Sequence, residues 1–197
     1  MTTVILIAVL VPSVILHEIS HGAVALVFGD DTAKRAGRLT LNPVAHIDPL
    51  GTIVLPLILA LTGAGMFGWA KPVPVDPGRL RNPRRHGLLV SLAGPATNIV
   101  IALAAALLLR PFHRGGTAEV LFFVGVINVV LAAFNLLPIP PLDGSAVVER
   151  FLPRRWLPSW FRLRQYSMGL LLVVVLLLPQ VLARVFGFAE HLWRHLL

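Results

Sequence analysis

The chain has 197 residues, 56% of them hydrophobic and only 13% charged, with a net charge of +8 and a mean hydropathy of +0.82. That composition excludes a soluble globular domain and predicts an all-α polytopic membrane protein, a single membrane-embedded domain over residues 1–197. Cysteine is absent, so disulfides and thiolate metal sites are excluded, and any metal must be held by His, Asp or Glu.

The first apolar run, Val4 to Phe28, would make roughly 37 Å of helix, enough to cross a ~30 Å hydrocarbon core with some tilt. No Lys or Arg precedes it. It therefore lacks the basic start of a secretory signal and is expected to stay in the protein as a structural element. Within it stands His17-Glu18-Ile19-Ser20-His21, three ionisable side chains where such groups are expensive. On a helix His17 and His21 are i and i+4, so both imidazoles project from one face with Glu18 on its flank. This is the HExxH arrangement of zinc hydrolases: the imidazoles hold the ion, and the glutamate serves as general base.

Residues 29–49 are polar and turn-rich, and a short strand is expected around Leu39 to Leu41. His46 in this loop is read either as an accessory ligand or gate near the metal, or as a solvated or turn-bonded histidine. Leu50 to Trp69 is apolar but interrupted by Gly51, Pro56, Gly63, Gly65 and Gly68, and a basic, proline-rich stretch follows from Lys71 to Arg85. Leu88 to Leu109 is a clean span entered through Ala93-Gly94-Pro95-Ala96-Thr97-Asn98. The small residues there permit close helix contact, and Asn98 could bond a neighbouring helix; packing is the role expected of the block.

Ala118 to Leu137 is a further span, ending in Asn135-Leu136-Leu137-Pro138-Ile139-Pro140-Pro141-Leu142-Asp143-Gly144. The prolines forbid a continuous helix and predict an extended segment that carries Asp143. Its carboxylate is a candidate third metal ligand, or alternatively the N-cap of a helix from Gly144 to Leu152. Residues 151–166, with the arginines and tryptophans of Arg150 to Arg164, suit an interfacial segment. A last apolar run, Met168 to Phe186 with a kink at Pro179, makes residues 167–187 a C-terminal transmembrane helix. The count is then about four full transmembrane helices plus one re-entrant hairpin.

That hairpin is Leu50 to Trp69. His17, His21 and Asp143 all lie towards the C-terminal ends of their spans, so the two spans must run parallel, with one full crossing between them. Leu88 to Leu109 supplies it, so Leu50 to Trp69 must enter and return. Charge agrees: this topology puts 13 of the 17 Lys and Arg residues on the active-site side, which the positive-inside rule makes cytoplasmic. Orientation, not binding of nucleic acid, accounts for the basic balance.

Three blocks, HEISHG at His17 to Gly22, AGPATN at Ala93 to Asn98 and FNLLPIPPLDGS at Phe134 to Ser145, make the chain resemble the site-2 proteases, zinc-dependent intramembrane metalloproteases. The resemblance covers roughly residues 4–150, which would be the catalytic core, and is to compact bacterial-type members without a PDZ or CBS domain. It implies one Zn²⁺ per chain held by His17, His21 and Asp143, with Glu18 as general base and Asn135 positioning substrate or stabilising the oxyanion. It further implies a multi-pass protein of the bacterial cell membrane that cuts within or near a transmembrane segment of another protein, with a separate regulatory or adaptor protein as an expected partner. Two rival readings are a catalytically silent scaffold of the same family and a divalent-metal transporter. The transporter needs ligands at successive depths, whereas here they converge at one.

Overall fold

The computed structural model describes residues 2–62, 68–112 and 115–197. Its first helix, α1 (Thr2–Val27), buries Val9, Ser13, His17, His21 and Ala25, a row at i+4 spacing along one ridge. Against that ridge lies α4 (Pro83–Leu109), reached through the short α2 (Thr32–Arg35) and α3 (Leu55–Thr62), and its own buried row is Val90, Gly94, Asn98, Ala102 and Ala106. Small residues at the crossing let the two backbones approach closely. The third member of the core, α5 (Gly116–Asn135), buries Gly125, Asn128 and Ala132. These three helices are long and apolar enough to cross a membrane. Large apolar side chains elsewhere on them, such as Val100 and Leu107, are exposed, as a lipid-facing surface requires.

The chain then runs through α6 (Ser145–Phe151), α7 (Leu157–Gln165), α8 (Ser167–Leu177) and α9 (Pro179–Leu196). Helices α7 and α8 are bent by 66° and add a fourth crossing if that pair is one span. The kink expected at Pro179 is a full break, because Leu178 leaves the helical region and α9 starts afresh at the proline. Helix α9 lies on α5, with the Trp193 indole pressed so closely on Gly125 that no side chain fits there. At the basic side, Arg84 donates to the carbonyls of Glu149, Arg150 and Leu152, satisfying the end of α6, and Glu149 accepts from Arg164 and the Trp160 indole.

Leu50 to Trp69 begins with one π-helical stretch, Pro49–Val54, that leads into α3. Its two ends meet: Trp69 N–H donates to the Gly51 carbonyl at 3.1 Å, and Thr52 Oγ1 donates to the Trp69 carbonyl at 2.9 Å. The stretch thus leaves and returns at one place; the interrupting Gly63 and Gly65 lie outside the described residues. No strand forms among the described residues. At Leu39 to Leu41 the chain bends instead, because local side chains take the backbone groups a ladder would need: His46 Nε2 bonds the Thr40 carbonyl and Thr40 Oγ1 accepts from Asn42 N–H. The segment from Leu136 to Gly144 is also not extended. It folds into consecutive turns closed by Gly144 N–H to the Asn135 carbonyl at 2.7 Å, and Gly144 passes so close to the Leu136 and Leu137 carbonyls that a Cβ has no room.

Candidate metal centre

Because α1 and α5 both end on the basic side, the returning loop after α5 carries Asp143 to the imidazoles of α1. His17 Nε2 and His21 Nε2 are 3.1 Å apart, and Asp143 Oδ2 lies 3.1 Å from the first and 3.4 Å from the second. Atoms bound at zinc's usual lengths to one tetrahedral ion stand about 3.3 Å apart, so the triangle has the dimensions of one coordination face. Among the described residues these three form the only group of three or more such ligands.

The far nitrogens decide what the near ones present. His21 Nδ1 lies 2.7 Å from the Val90 carbonyl, which can only accept, so this nitrogen carries the proton. His17 Nδ1 lies 2.6 Å from Asn98 Oδ1 and donates to it in the same way. With both rings neutral, the Nε2 atoms then present lone pairs to each other and to Asp143 Oδ2, a buried oxygen with no hydrogen-bond donor among the described residues. Three converging acceptors without a donor repel one another unless a cation stands between them. That donor set, two neutral imidazoles and one carboxylate, suits zinc.

Asp143 is not a helix cap: α6 makes no side-chain cap bond, and Gly144 stands at its N-cap. Glu18 faces the same cavity, where its Oε2 accepts from Val73 N–H at 2.8 Å. The cavity, of about 360 Å³, is also lined by Asn135, Arg84, Glu149, Arg150 and Arg164, so it opens towards the basic side, where a water path to the ligands is expected. Asn135 Nδ2 donates to the Leu131 carbonyl within its own helix, at 3.0 Å. His46 is placed elsewhere. It is buried, bonds the Thr40 carbonyl, and lines a second, apolar cavity of about 520 Å³ beside α1 and α3 rather than joining the trio.

Three contributors escaped sequence reasoning. Val90 and Val73 act through backbone groups, which no side-chain pattern announces. Gly94 leaves a hollow: a Cβ there would lie 2.5 Å from ring atoms of both His17 and His21. In the AGPATN block, then, the glycine makes room for the imidazoles and Asn98 orients one of them, a more specific role than the packing expected of it.

Residues 110–178 match peptidase family M50. The Bacillus subtilis protein named "Putative zinc metalloprotease YwhC" is 46% identical over 75% of this chain and 69% of its own length. Two proteins named "Putative zinc metalloprotease Rip2" are 37% identical over 88% of the chain (Mycolicibacterium smegmatis) and 36% over 83% (Mycobacterium tuberculosis). The aligned part spans 66% and 63% of those two relatives. No solved structure matches the chain.

Proposed function

The chain belongs to peptidase family M50, the site-2 protease family, and from that premise we propose that it is a zinc-dependent endopeptidase hydrolysing a peptide bond within or near a transmembrane segment of another membrane protein. The observation that supports this reading best is the convergence of His17, His21 and Asp143 at membrane-helix ends beside the Glu18 carboxylate and an open cavity. Zinc held by those three residues would supply Lewis acidity and make a nearby water easier to deprotonate.

The protein's own groups carry the remaining steps. Val73 N–H fixes one oxygen of Glu18 and leaves the other to take the proton of the attacking water. Glu18 then returns that proton to the leaving amine. Asn135, on the cavity wall, is placed to donate to the developing oxyanion once substrate draws its amide from the Leu131 carbonyl. The basic rim supports a site on the cytoplasmic face of a bacterial cell membrane, and the apolar cavity beside His46 suits a gate on the lipid side.

The test is Glu18→Gln. The variant should retain zinc and lose cleavage of membrane-protein substrates, read by comparing the membrane proteomes of cells carrying either form. Zinc binding with unaltered cleavage in the variant would end the proposal, and wild type without zinc would favour a silent scaffold.

A further inference from the structure

We infer that Asn128 and Ser13, neither of which touches the metal trio, are positioning residues that dictate which nitrogen of His17 is offered to the metal. This rests on the metal-site reading above. The bonds form one directed chain. His17 Nδ1–H donates to Asn98 Oδ1 at 2.6 Å, and Asn98 Nδ2 donates to Asn128 Oδ1 at 2.7 Å. Asn128 Nδ2 donates both to the Val124 carbonyl at 2.8 Å and to Ser13 Oγ at 2.9 Å, and Ser13 Oγ donates to the Val9 carbonyl at 2.8 Å. Asn98 and Asn128 are fully buried, and Ser13 and His17 nearly so.

The direction is forced from its far end. A backbone carbonyl accepts only, so the group of Asn128 facing Val124 must be its NH₂. The Ser13 hydroxyl spends its one proton on Val9 and can then only accept from the same NH₂. With its NH₂ so fixed, Asn128 turns its oxygen to Asn98, which must answer with its own NH₂ and present its oxygen to His17. His17 is left one choice, proton on Nδ1 and lone pair on Nε2. No member can flip alone without setting two like groups face to face in a site closed to water, where an unmet group is costly. A carbonyl on α5 thereby sets the tautomer of a ligand on α1.

Two measurements test this. Zinc affinity of purified, monodisperse protein is read by competition with a chelator. Asn98→Leu should weaken zinc by roughly 10–100-fold, the usual cost of an outer partner, and Asn128→Leu by about 10-fold. Asn128→Asp should keep more zinc affinity than Asn128→Leu, because a neutral carboxyl can still donate to Val124 and accept from Asn98, although it gives up the bond to Ser13. Leucine nearly matches asparagine in shape, so a role in packing alone predicts that both leucine variants bind zinc as wild type does, and that result would overturn the relay. Independently of any variant that fails to fold, ¹⁵N spectra of ring-labelled, zinc-free wild type should show His17 protonated at Nδ1; the opposite tautomer refutes the relay. Wild type that binds no zinc at all would remove the metal reading itself, and the relay with it.

Discussion

The protein carries two histidine pairs at i,i+4 spacing, and they differ in almost everything but that spacing. His17 and His21 on α1 have Nε2 atoms 3.1 Å apart and ring centroids 4.7 Å apart at 83°; His191 and His195 on α9 show 3.1 Å, 4.3 Å and 73°. The first pair is buried, has each Nδ1 engaged by an oxygen, and meets Asp143. The second is exposed, and among the described residues no third ligand joins it; the adjacent Glu190 is bonded to Arg194 at 2.7 Å. Spacing alone makes two imidazoles face one another. What sets the first pair apart as a candidate metal centre is a carboxylate brought from a distant loop and a shell that settles each Nδ1 proton.

The harshest way to break the contrast is to remove the distant ligand. Asp143→Ala leaves the buried pair, like the exposed pair, without a third ligand, and should lower zinc affinity by more than the roughly 100-fold that bounds the loss of an outer partner. Cleavage should vanish with it. His191→Ala and His195→Ala should leave both unchanged. Metal analysis of the purified proteins decides, and a zinc loss that follows α9 rather than Asp143 would assign the centre to the wrong pair.

A subtler break is Gly94→Ala. Alanine is the better helix former by about 1 kcal/mol, so α4 itself should gain. Its Cβ would, however, need space now held by both imidazoles, 2.5 Å away. Zinc affinity should fall by about 10-fold or more while the helix content holds. Unaltered zinc binding would mean that the rings can move aside without cost.

Much of this contrast was legible beforehand, and the remainder has a physical explanation. The depth of His17, His21 and Asp143 follows from helix length and span parity, and Val4 to Phe28 anticipates Thr2–Val27 closely because an uninterrupted apolar run leaves little choice of boundary. The strand at Leu39 to Leu41 did not form, since a single short segment has no partner to pair with and nearby side chains compete for its backbone. The Pro-rich loop curls because two ends must close on Gly144, which local proline rules do not foresee. Ser13 and Asn128 could have been noticed: Ser13 is one turn before His17, and Asn128 two turns before Asn135, each on the same face. Their partners could not, because helix-to-helix register is set by the packing of whole faces.

The buried pair also depends on a scaffold the exposed pair lacks. Asp30, fully buried beyond α1, accepts from Thr32 and, at 2.7 Å, from Asp76 N–H, pinning the loop whose Val73 reaches Glu18. Burial pushes its carboxyl up, but the hydrogen bonds from Thr32 and Asp76 and the charge of Arg79 outweigh that and hold it below the ordinary value. Such a group adds stability above its unfolded pKa of roughly 4, and loses that contribution as pH falls through the lower folded value. Asp30→Asn should cost about 1–3 kcal/mol at neutral pH and flatten the acid limb of a pH–stability curve; an unchanged limb would remove Asp30 from the scaffold.

The smallest effect sharpens the comparison from the other side. Gly187 stands one turn before His191 in α9, as Gly94 stands against the buried rings, yet a Cβ at Gly187 would meet nothing within 4 Å. With no clash to offset the gain in helix propensity, Gly187→Ala should stabilise by up to about 1 kcal/mol. For a chain of this size that is a rise of about 2–4 °C in the melting temperature in detergent. Zinc content should not change. The same substitution would then favour the helix at both glycines but meet a clash, and lower metal affinity, at only one, because only at Gly94 is the empty volume bounded by the candidate ligands; a lower melting temperature for Gly187→Ala would show that the exposed end of α9 is closely packed after all.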